Sequence, residues 1–246
     1  AGPAFEGVKI SCGSRAVDGA ITKVELDDGS FKLTTISDAE PVGLTGSGLL
    51  SAIAEFKKAG IIEETGRINP ECDQYSSAVN NGGDDKAGSQ TLPEGALPPA
   101  CEQYANKISK DDHGSRRIAL TPDGELYLTQ LDIRELQKAK GAIRAAVDVL
   151  MSQLDLAPED LSQVVLTGSF GGQVDIDAIL NIGMIPPVSK SAVKTVANGA
   201  GFGAAMFLTE EGFALGEQLA EKAEQVDLDT DAQFNMFYIE GMKLAP

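Results

Sequence analysis

The segment VVLTGSFGGQVDIDAILNIGMIP, residues 164–186, contains the pattern that decides the fold. It begins as an apolar strand, breaks at three glycines, and resumes as an amphipathic helix over residues 175–180. Glycines at such a turn leave the backbone open to a ligand, and amides at a helix N-terminus favour a nucleotide's ribose or phosphate. The alternative is a tight strand-to-helix turn in which glycine only supplies a positive φ, because one glycine cluster is a weak signal.

A second glycine-spaced turn, VGLTGSG at residues 42–48, also precedes an expected helix, which should end near Gly60. Neither turn is a Walker A loop or a G-x-G-x-x-G fingerprint. Neither serine is in a nucleophile elbow, because Thr45 and Thr167 stand two residues before Ser47 and Ser169, where that motif requires glycine. Both turns therefore indicate binding by backbone rather than covalent catalysis.

The rest of the chain alternates between strand and helix patterns. We predict a β-hairpin over residues 19–36 about Asp28-Gly29, and two strands about Pro122-Asp123-Gly124. A long helix should span residues 130–154, with its apolar face formed by Leu131, Leu136, Ala139, Ile143, Val147 and Leu150. A buried strand at residues 164–166, a strand around residues 193–196, and helices over 199–208 and 210–223 follow, and near the end Phe234, Phe237 and Met242 should cap the core.

Residues 69 to about 115 have little periodicity and several glycines and prolines, so they indicate an irregular insertion that contributes few core residues. Recurring strand, glycine turn and helix elsewhere predict an α/β fold, a mixed sheet flanked by helices with ligands at the carboxyl ends of strands.

The chain is strongly acidic: 37 acidic and 20 basic residues give a net charge of -17. That charge opposes binding to nucleic acid or to an anionic membrane surface. Three widely spaced cysteines, Cys12, Cys72 and Cys101, indicate unrelated thiols in a reducing compartment rather than a metal site. No apolar run approaches the roughly 20 residues of a membrane span, so we expect a cytoplasmic protein. The first residues have the character of the inside of a domain, so the chain is expected to be part of a longer protein.

The few charged candidates each have two interpretations. Lys140 and Arg144 lie one helical turn apart and either form a solvated helix face or line a nucleotide cleft. The single histidine, His113, lies in a charged loop, where a solvated residue is expected rather than a catalytic base.

An ordered set of motifs carries a resemblance to a known family: AGPAFEG, GAI, TGSGLLSAIAEFKKAGII, TQLDIRELQKAKGAIRAAVDVL, LTGSFGGQVDIDAILNIGMIP and ANGAGFGAA. In this order they resemble the carboxyl-terminal half of the ATPase domain in the reductive activators of corrinoid proteins. That family is ferredoxin-linked, and its ATPase domain belongs to the actin, sugar kinase and heat-shock chaperone superfamily. The resemblance implies an actin-like (ribonuclease H-like) lobe over residues 1–246, with the insertion at about 69–115 and the phosphate-binding half upstream.

The resemblance also implies a nucleotide site. LTGSFGG stands at the position of the adenosine motif, the long helix resembles one that supplies adenosine contacts, and ANGAGFGAA resembles the second connecting helix. The residues implied to bind ATP are Gly46, Ser47, Gln137, Lys140, Arg144, Gly168, Ser169, Phe170, Gly171 and Asn198. No residue is implied to be catalytic or to bind a metal.

The implied function belongs to the complete protein. It would bind ATP with Mg, carry a 2Fe-2S cluster in its upstream ferredoxin domain, and reduce the Co(II) state of a corrinoid protein to Co(I) for methyl transfer. The implied partner is the corrinoid protein of a methyltransferase system, with a homodimer as a further expectation. The alternatives are a docking module for such a system that has lost nucleotide binding, and a sugar or acyl kinase of the same superfamily. This chain alone should neither hydrolyse ATP efficiently nor transfer electrons.

Overall fold

The computed structural model describes residues 9–70, 72, 103–168, 174–228 and 230–246. Its first sheet contains the expected hairpin: β1 (Ala20–Asp27) pairs antiparallel with β2 (Ser30–Thr35). Asp28 and Gly29 both have positive φ, of 35° and 80°, as the tight Asp-Gly turn requires. The short strand β3 (Gly43–Leu44) pairs parallel with the other edge of β1, so this sheet is mixed, with the order β2-β1-β3.

Helix α1 (Gly46–Lys58) follows β3 and packs against β1. The Thr45 hydroxyl accepts from the Gly48 amide at 3.1 Å and so caps the helix. A Cβ added at Gly48 would lie 2.3 Å from the Ile21 carbonyl oxygen, so glycine allows helix and strand to approach closely. Phe56, on the same helix, is fully buried and contacts Phe31 of the hairpin with 5.0 Å between ring centroids.

The second sheet has the order β4-β5-β6, with all pairs antiparallel. Strands β5 (Arg116–Ala119) and β6 (Tyr127–Thr129) confirm the predicted pair about Pro122-Asp123-Gly124. Strand β4 (Ile108–Lys110) lies in the stretch predicted to be irregular, and Cys72, Tyr104 and Ile108 from that stretch belong to the core. The predicted insertion is therefore wrong at its described ends, and residues 73–102 lie outside the described part of the chain.

Helix α2 (Gln130–Gln153) has the predicted length, and its predicted apolar face is confirmed in part. Leu136 is fully buried and Ala139 and Ile143 pack against the core, but Leu131 and Leu150 are 71% and 44% exposed. The buried face also includes Ile133 and the polar residues Asp132, Gln137 and Lys140. Helix α2 packs against the last described helix of the chain, which therefore contacts polar as well as apolar side chains.

The third sheet is a parallel pair, β7 (Val164–Gly168) and β8 (Val193–Ala197), joined through α3 (Ile176–Asn181). Strand β7 was predicted to be buried, but Val165 is 50% exposed. Three helices follow: α4 (Gly199–Met206), α5 (Glu210–Lys222) and α6 (Phe234–Gly241). Phe234, Phe237 and Met242, which were predicted to cap the core, are only half-buried. Leu244 is the apolar side chain of this end that is fully buried among the described residues, at 0% exposed.

The described cysteines differ in state. Cys12 is a free, buried thiol, and burial, with a contribution from the nearby Asp132 charge, raises its pKa to about 12. Cys72 is disulfide-bonded, so the expectation of three unrelated thiols is wrong for that residue. Among the described helices, none is both long and apolar enough to cross a membrane.

Candidate functional site: a cavity between two helix N-termini

Each glycine turn leads from the carboxyl end of a strand into a helix with a side-chain cap. Thr45 caps α1 after β3, and the Asp175 carboxylate caps α3 by accepting from the amides of Asp177 and Ala178 at 2.9 and 3.3 Å. The ends of β7 and β8 are also tied together, because the Gly199 amide donates to the Thr167 hydroxyl at 2.8 Å. Helix N-termini at strand ends are the usual ligand-binding positions in α/β proteins.

The N-termini of α1 and α3 meet at one cavity of about 550 Å³. Ser47 lines it from α1, Val174 and Asp175 from the start of α3, and Thr22 and Thr34 from the hairpin. Its remaining lining residues are Lys23, Ile36 and Ser51. The structure therefore brings together the first glycine turn and the residues directly after the second one.

Hydroxyl groups dominate the polar lining of this cavity. The Ser51 hydroxyl is engaged with both backbone groups of Val24, whereas the Ser47 hydroxyl lies 2.9 Å from the Thr45 hydroxyl. Lys23 is paired with Glu25 at 2.8 Å, and the hydrogen bond to Glu25 raises the pKa of Lys23. Hydroxyls with one paired cation and one carboxylate suit a neutral, hydroxylated ligand better than a polyphosphate, which needs free cations or amides.

The residues of the second glycine turn are only partly described. Gly168 has a φ of +92°, which a side chain rarely adopts, and a Cβ there would meet no described atom within 4 Å. Conformation rather than crowding therefore requires glycine at this position. Ser169, Phe170 and Gly171, also predicted to bind ATP, lie outside the described residues.

Asn198 is the N-cap of α4 in the left-handed conformation, with φ 50° and ψ 46°, and its side chain accepts from the Gly201 amide at 3.2 Å. Asparagine tolerates this conformation better than most residues. Gly46 is buried at the start of α1. Both predicted site residues therefore have a structural role at a helix start, and their contact with a nucleotide stays a prediction.

The remaining predicted residues, Gln137, Lys140 and Arg144, form one row on α2, named here the α2 polar row. The Lys140 ammonium donates to the carbonyls of Gly183, Gly241 and Lys243, at 3.2, 2.6 and 2.5 Å. Its side chain is 0% exposed, so the solvated-face interpretation is wrong for Lys140. That interpretation does hold for its neighbour Lys138, an exposed residue that pairs with Glu135 at 2.6 Å.

The other two members of the α2 polar row also bind backbone carbonyls. The Gln137 amide donates to Thr65 and Met242, at 3.0 and 2.7 Å. Arg144 pairs with Asp148 at 2.9 Å and donates to the Ile185 carbonyl at 3.3 Å. The row therefore faces the loop after α3 and the end of the chain, whereas the cavity lies at the start of α3.

The electrostatics of Lys140 follow from these neighbours. Burial, followed by repulsion from Arg144 and Lys57, lowers its pKa to about 7, against an attraction to Asp148. Lys57 itself donates to the Asn181 carbonyl at 2.7 Å, and burial lowers its pKa. Two lysines thus lie at the carboxyl end of α3, where a cation complements the helix dipole.

The sequence patterns did not single out Asp132, Lys57 or Gly183. A capping signal at Thr129-x-x-Asp132 was available for the first, but nothing local indicates that Asp132 also binds Ser11, which is 121 positions away. His113 lies in an exposed loop, as predicted. Among the described residues, no three His, Cys, Asp or Glu side chains lie together in a way that could hold a metal ion.

The class of protein is set by a family model for the C-terminal domain of RACo, the ASKHA domain, which matches residues 1–90 and 99–246. The chain belongs to this family, and its fold is the actin-like fold that the sequence resemblance implied.

Two curated relatives and one solved structure are similar to the chain over nearly its whole length. The chain is 27% identical over 245 residues to the corrinoid activation enzyme RamQ of Eubacterium limosum, covering 97% of this chain and 37% of that protein. It is 26% identical over 263 residues to the [Co(II) methylated amine-specific corrinoid protein] reductase of Methanosarcina barkeri, covering 97% of this chain and 40% of that protein. A solved structure, the reductive activator for corrinoid, iron-sulfur protein, matches with a TM-score of 0.77 and 26% identity, over 99% of this chain and 35% of that one. The chain thus spans well under half the length of these relatives.

Proposed function

We propose that this chain is the nucleotide-binding part of an ATP-dependent reductive activator that returns a corrinoid protein from Co(II) to Co(I). Membership of the family and the names of the relatives support the activator assignment. The cavity shared by Ser47 and the start of α3 carries the nucleotide assignment, because it is lined by the first glycine turn and by the residues directly after the second one. Its volume of about 550 Å³ falls within the usual range of small-molecule sites.

The cavity fits the nucleoside end of ATP. The hydroxyls of Ser47, Thr22 and Thr34 can exchange hydrogen bonds with a ribose or with adenine nitrogens, while Asp175 disfavours a phosphate at the same place. We infer that the triphosphate and its Mg are bound by another part of the complete protein, and that Gly46, Gly168, Ser169, Phe170, Gly171 and Asn198 approach the nucleoside through the backbone. When bound, ATP supplies the free energy that shifts the protein between open and closed states.

The described cysteines do not fit an iron-sulfur cluster. Cys12 is buried with a raised pKa, which disfavours the thiolate that iron requires, and Cys72 is disulfide-bonded. We infer that a 2Fe-2S cluster belongs to an upstream domain of the complete protein and that the partner is the corrinoid protein of a methyltransferase system. The acidic charge favours a protein partner over nucleic acid or an anionic membrane.

The test is isothermal titration of Mg-ATP, Mg-ADP and adenosine into the wild-type protein and into the variant Ser47→Phe, in this chain and in the complete gene product. The added ring would occupy the cavity, so affinity for all three ligands should fall at least about tenfold, which corresponds to about 1.4 kcal/mol of binding free energy. Ser30→Phe, on an exposed position of the hairpin turn, is the matched control.

Binding by the chain itself would support a nucleoside site formed by its own residues, and binding only by the complete protein would make the phosphate half essential. If Ser47→Phe and Ser30→Phe bind equally well, the nucleotide is not in this cavity. Absence of binding in every form would favour the docking-module alternative.

A further inference from the structure

Lys140 is a fully buried cation whose three acceptors belong to two separate backbone segments. The Gly183 carbonyl belongs to the turn that ends α3, and the carbonyls of Gly241 and Lys243 belong to the end of α6. Carbonyls at the end of a helix have no partner within the helix and carry the negative end of its dipole. Of the three acceptors, only Gly241 lies within a helix, and Gly183 and Lys243 each follow a helix C-cap. One ammonium group therefore joins the turn after α3 to the end of α6 and the residues directly after it.

The turn after α3 is built for this contact. The Gly183 amide donates to Leu180 and the Met184 amide to Ile179, which is the Schellman arrangement that ends a helix with a left-handed glycine. Gly183 has a φ of +66°, and a Cβ there would lie 1.6 Å from the Ala245 carbonyl oxygen. The last residues of the chain thus lie directly on this turn.

The terminal segment, residues 241–246, is held by further contacts. The Leu244 amide donates to the Glu64 carbonyl at 2.8 Å, and the Leu244 side chain is 0% exposed. Gly141 and Gly241 lie where α2 and α6 cross, and a Cβ on Gly241 would lie 3.0 Å from the Gly141 carbonyl oxygen. Lys140 is thus the polar centre of a close-packed contact between α2, the end of α3 and the terminal segment.

Helix α3 connects this contact with the candidate nucleotide cavity. Val174 and Asp175, at its start, line the cavity, and Gly183 follows its end. The helix has only six residues, about 9 Å of rise, so its two ends lie close together. We therefore expect a displacement of its carboxyl end to shift the residues that line the cavity.

We propose that Lys140 is a positioning residue of the nucleotide site: it fixes the carboxyl end of α3 to the terminal segment and thereby sets the start of α3 at the cavity. The effect of Lys140 on nucleotide binding rests on the proposed function. The contact between Lys140 and the two backbone segments does not depend on that function. The positioning role differs from a direct contact between Lys140 and adenosine, because the ammonium is already surrounded by three carbonyl acceptors.

The charged neighbours make this contact sensitive to protonation. Arg144 and Asp148 face Lys140 from α2, Lys57 approaches from α1, and Glu240 and Lys243 border the adjoining cavity of about 210 Å³. The pKa of Lys140 is lowered when it is buried, so protonation favours arrangements in which the side chain reaches water. Deprotonation leaves a neutral amine with two N–H donors for the three carbonyls, so the charge state of Lys140 decides how many of them it can bind.

The test compares Lys140→Met with the control Lys138→Met in the complete gene product. Methionine keeps most of the side-chain volume but removes all three donors, whereas Lys138 is exposed on the same helix. Two measurements are needed: hydrogen exchange of residues 182–186 and 241–246, and the affinity for Mg-ADP at about pH 6.5 and 8.5. The affinity ratio of wild type to variant cancels the titration of the nucleotide itself.

The expected result is faster exchange in both segments for Lys140→Met only, with an affinity ratio of wild type to variant of at least about fivefold. Loss of affinity without faster exchange would indicate direct contact with the nucleotide and overturn the positioning role. Unchanged exchange and affinity would also overturn it. If the wild-type protein binds no nucleotide, the proposed function fails, and the exchange measurement still decides whether Lys140 holds the two segments.

Discussion

Replacing Asp132 by asparagine should destabilise the protein far more than an ordinary helix-surface change. Its carboxylate is 2% exposed and accepts four hydrogen bonds. One oxygen accepts from the Thr129 amide at 2.7 Å and the Thr129 hydroxyl at 2.8 Å, and the other accepts from the Ser11 amide at 2.8 Å and the Ser11 hydroxyl at 3.1 Å. The residue thus caps α2 and also ties the start of the described chain to it.

The magnitude follows from what asparagine can and cannot replace. The two hydroxyls can rotate and accept from the new amide group, but one of the two backbone amides must lose its acceptor. A buried donor left without a partner costs about 1 to 3 kcal/mol, and hydrogen bonds to a neutral acceptor are weaker than those to a charged one. We therefore expect Asp132→Asn to lower the free energy of unfolding by about 3 kcal/mol.

Urea unfolding followed by circular dichroism gives this quantity, provided that the m-value does not change. Glu135→Gln is the matched control, because Glu135 lies on the same helix in an exposed ion pair with Lys138 and should cost no more than about 0.5 kcal/mol. A loss below about 1 kcal/mol for Asp132→Asn, or a loss equal to that of the control, would refute the argument that these hydrogen bonds hold the start of α2.

Two further predictions concern pH and glycine. Because the pKa of Lys140 is about 7 in the folded protein and 10.5 when unperturbed, the unfolded state binds more protons between these values. The difference in unfolding free energy between wild type and Lys140→Met should therefore rise by roughly 2 to 3 kcal/mol from about pH 7 to about pH 9, and it should not change below pH 7. Denaturant titrations at several pH values measure this difference. A difference that is the same at every pH would contradict the burial of a titrating lysine. Gly48→Ala should lower stability by about 1 to 3 kcal/mol, because the added Cβ meets the Ile21 carbonyl, whereas Gly203→Ala in α4 meets no described atom and should raise stability by about 0.5 to 1 kcal/mol. Thermal unfolding of both variants checks this pair, and equal effects would mean that the close approach of α1 to β1 is not needed.

Local patterns were enough to predict much of this fold. The Asp28-Gly29 hairpin and the capped helix starts depend on residues close together in sequence, and the structure has them where they were expected. The order of the motifs added the superfamily, which the family match and the solved structure bear out. Ser47 was implied as a site residue by the family resemblance of its glycine turn; it lines the cavity of about 550 Å³, and its contact with a nucleotide stays a prediction.

The buried face of α2 could not be predicted in the same way. Apolar periodicity assigned Leu131 and Leu150 to the core, but both are exposed, while Gln137 and Lys140 are buried. The acceptors of the Lys140 ammonium lie 43 to 103 positions further along the chain, so no local pattern contains them. A polar side chain is stable in the core only where such partners exist, and only the fold supplies those partners.

The arrangement around α3 gives the two sets of predicted site residues different relations to the candidate cavity. Ser47 and the start of α3 line the cavity, whereas Lys140 and Arg144 of the α2 polar row bind backbone directly after the opposite end of that helix. A lysine or arginine can bind the carboxyl end of another helix, or it can bind an anionic ligand. Both roles use the same residue types at the same spacing, so the sequence alone does not show which role a given residue has. Burial separates them: an ammonium with three carbonyl acceptors and no exposed surface must break existing hydrogen bonds before it can reach a ligand. We therefore expect any contribution of Lys140 to nucleotide binding to pass through the position of α3.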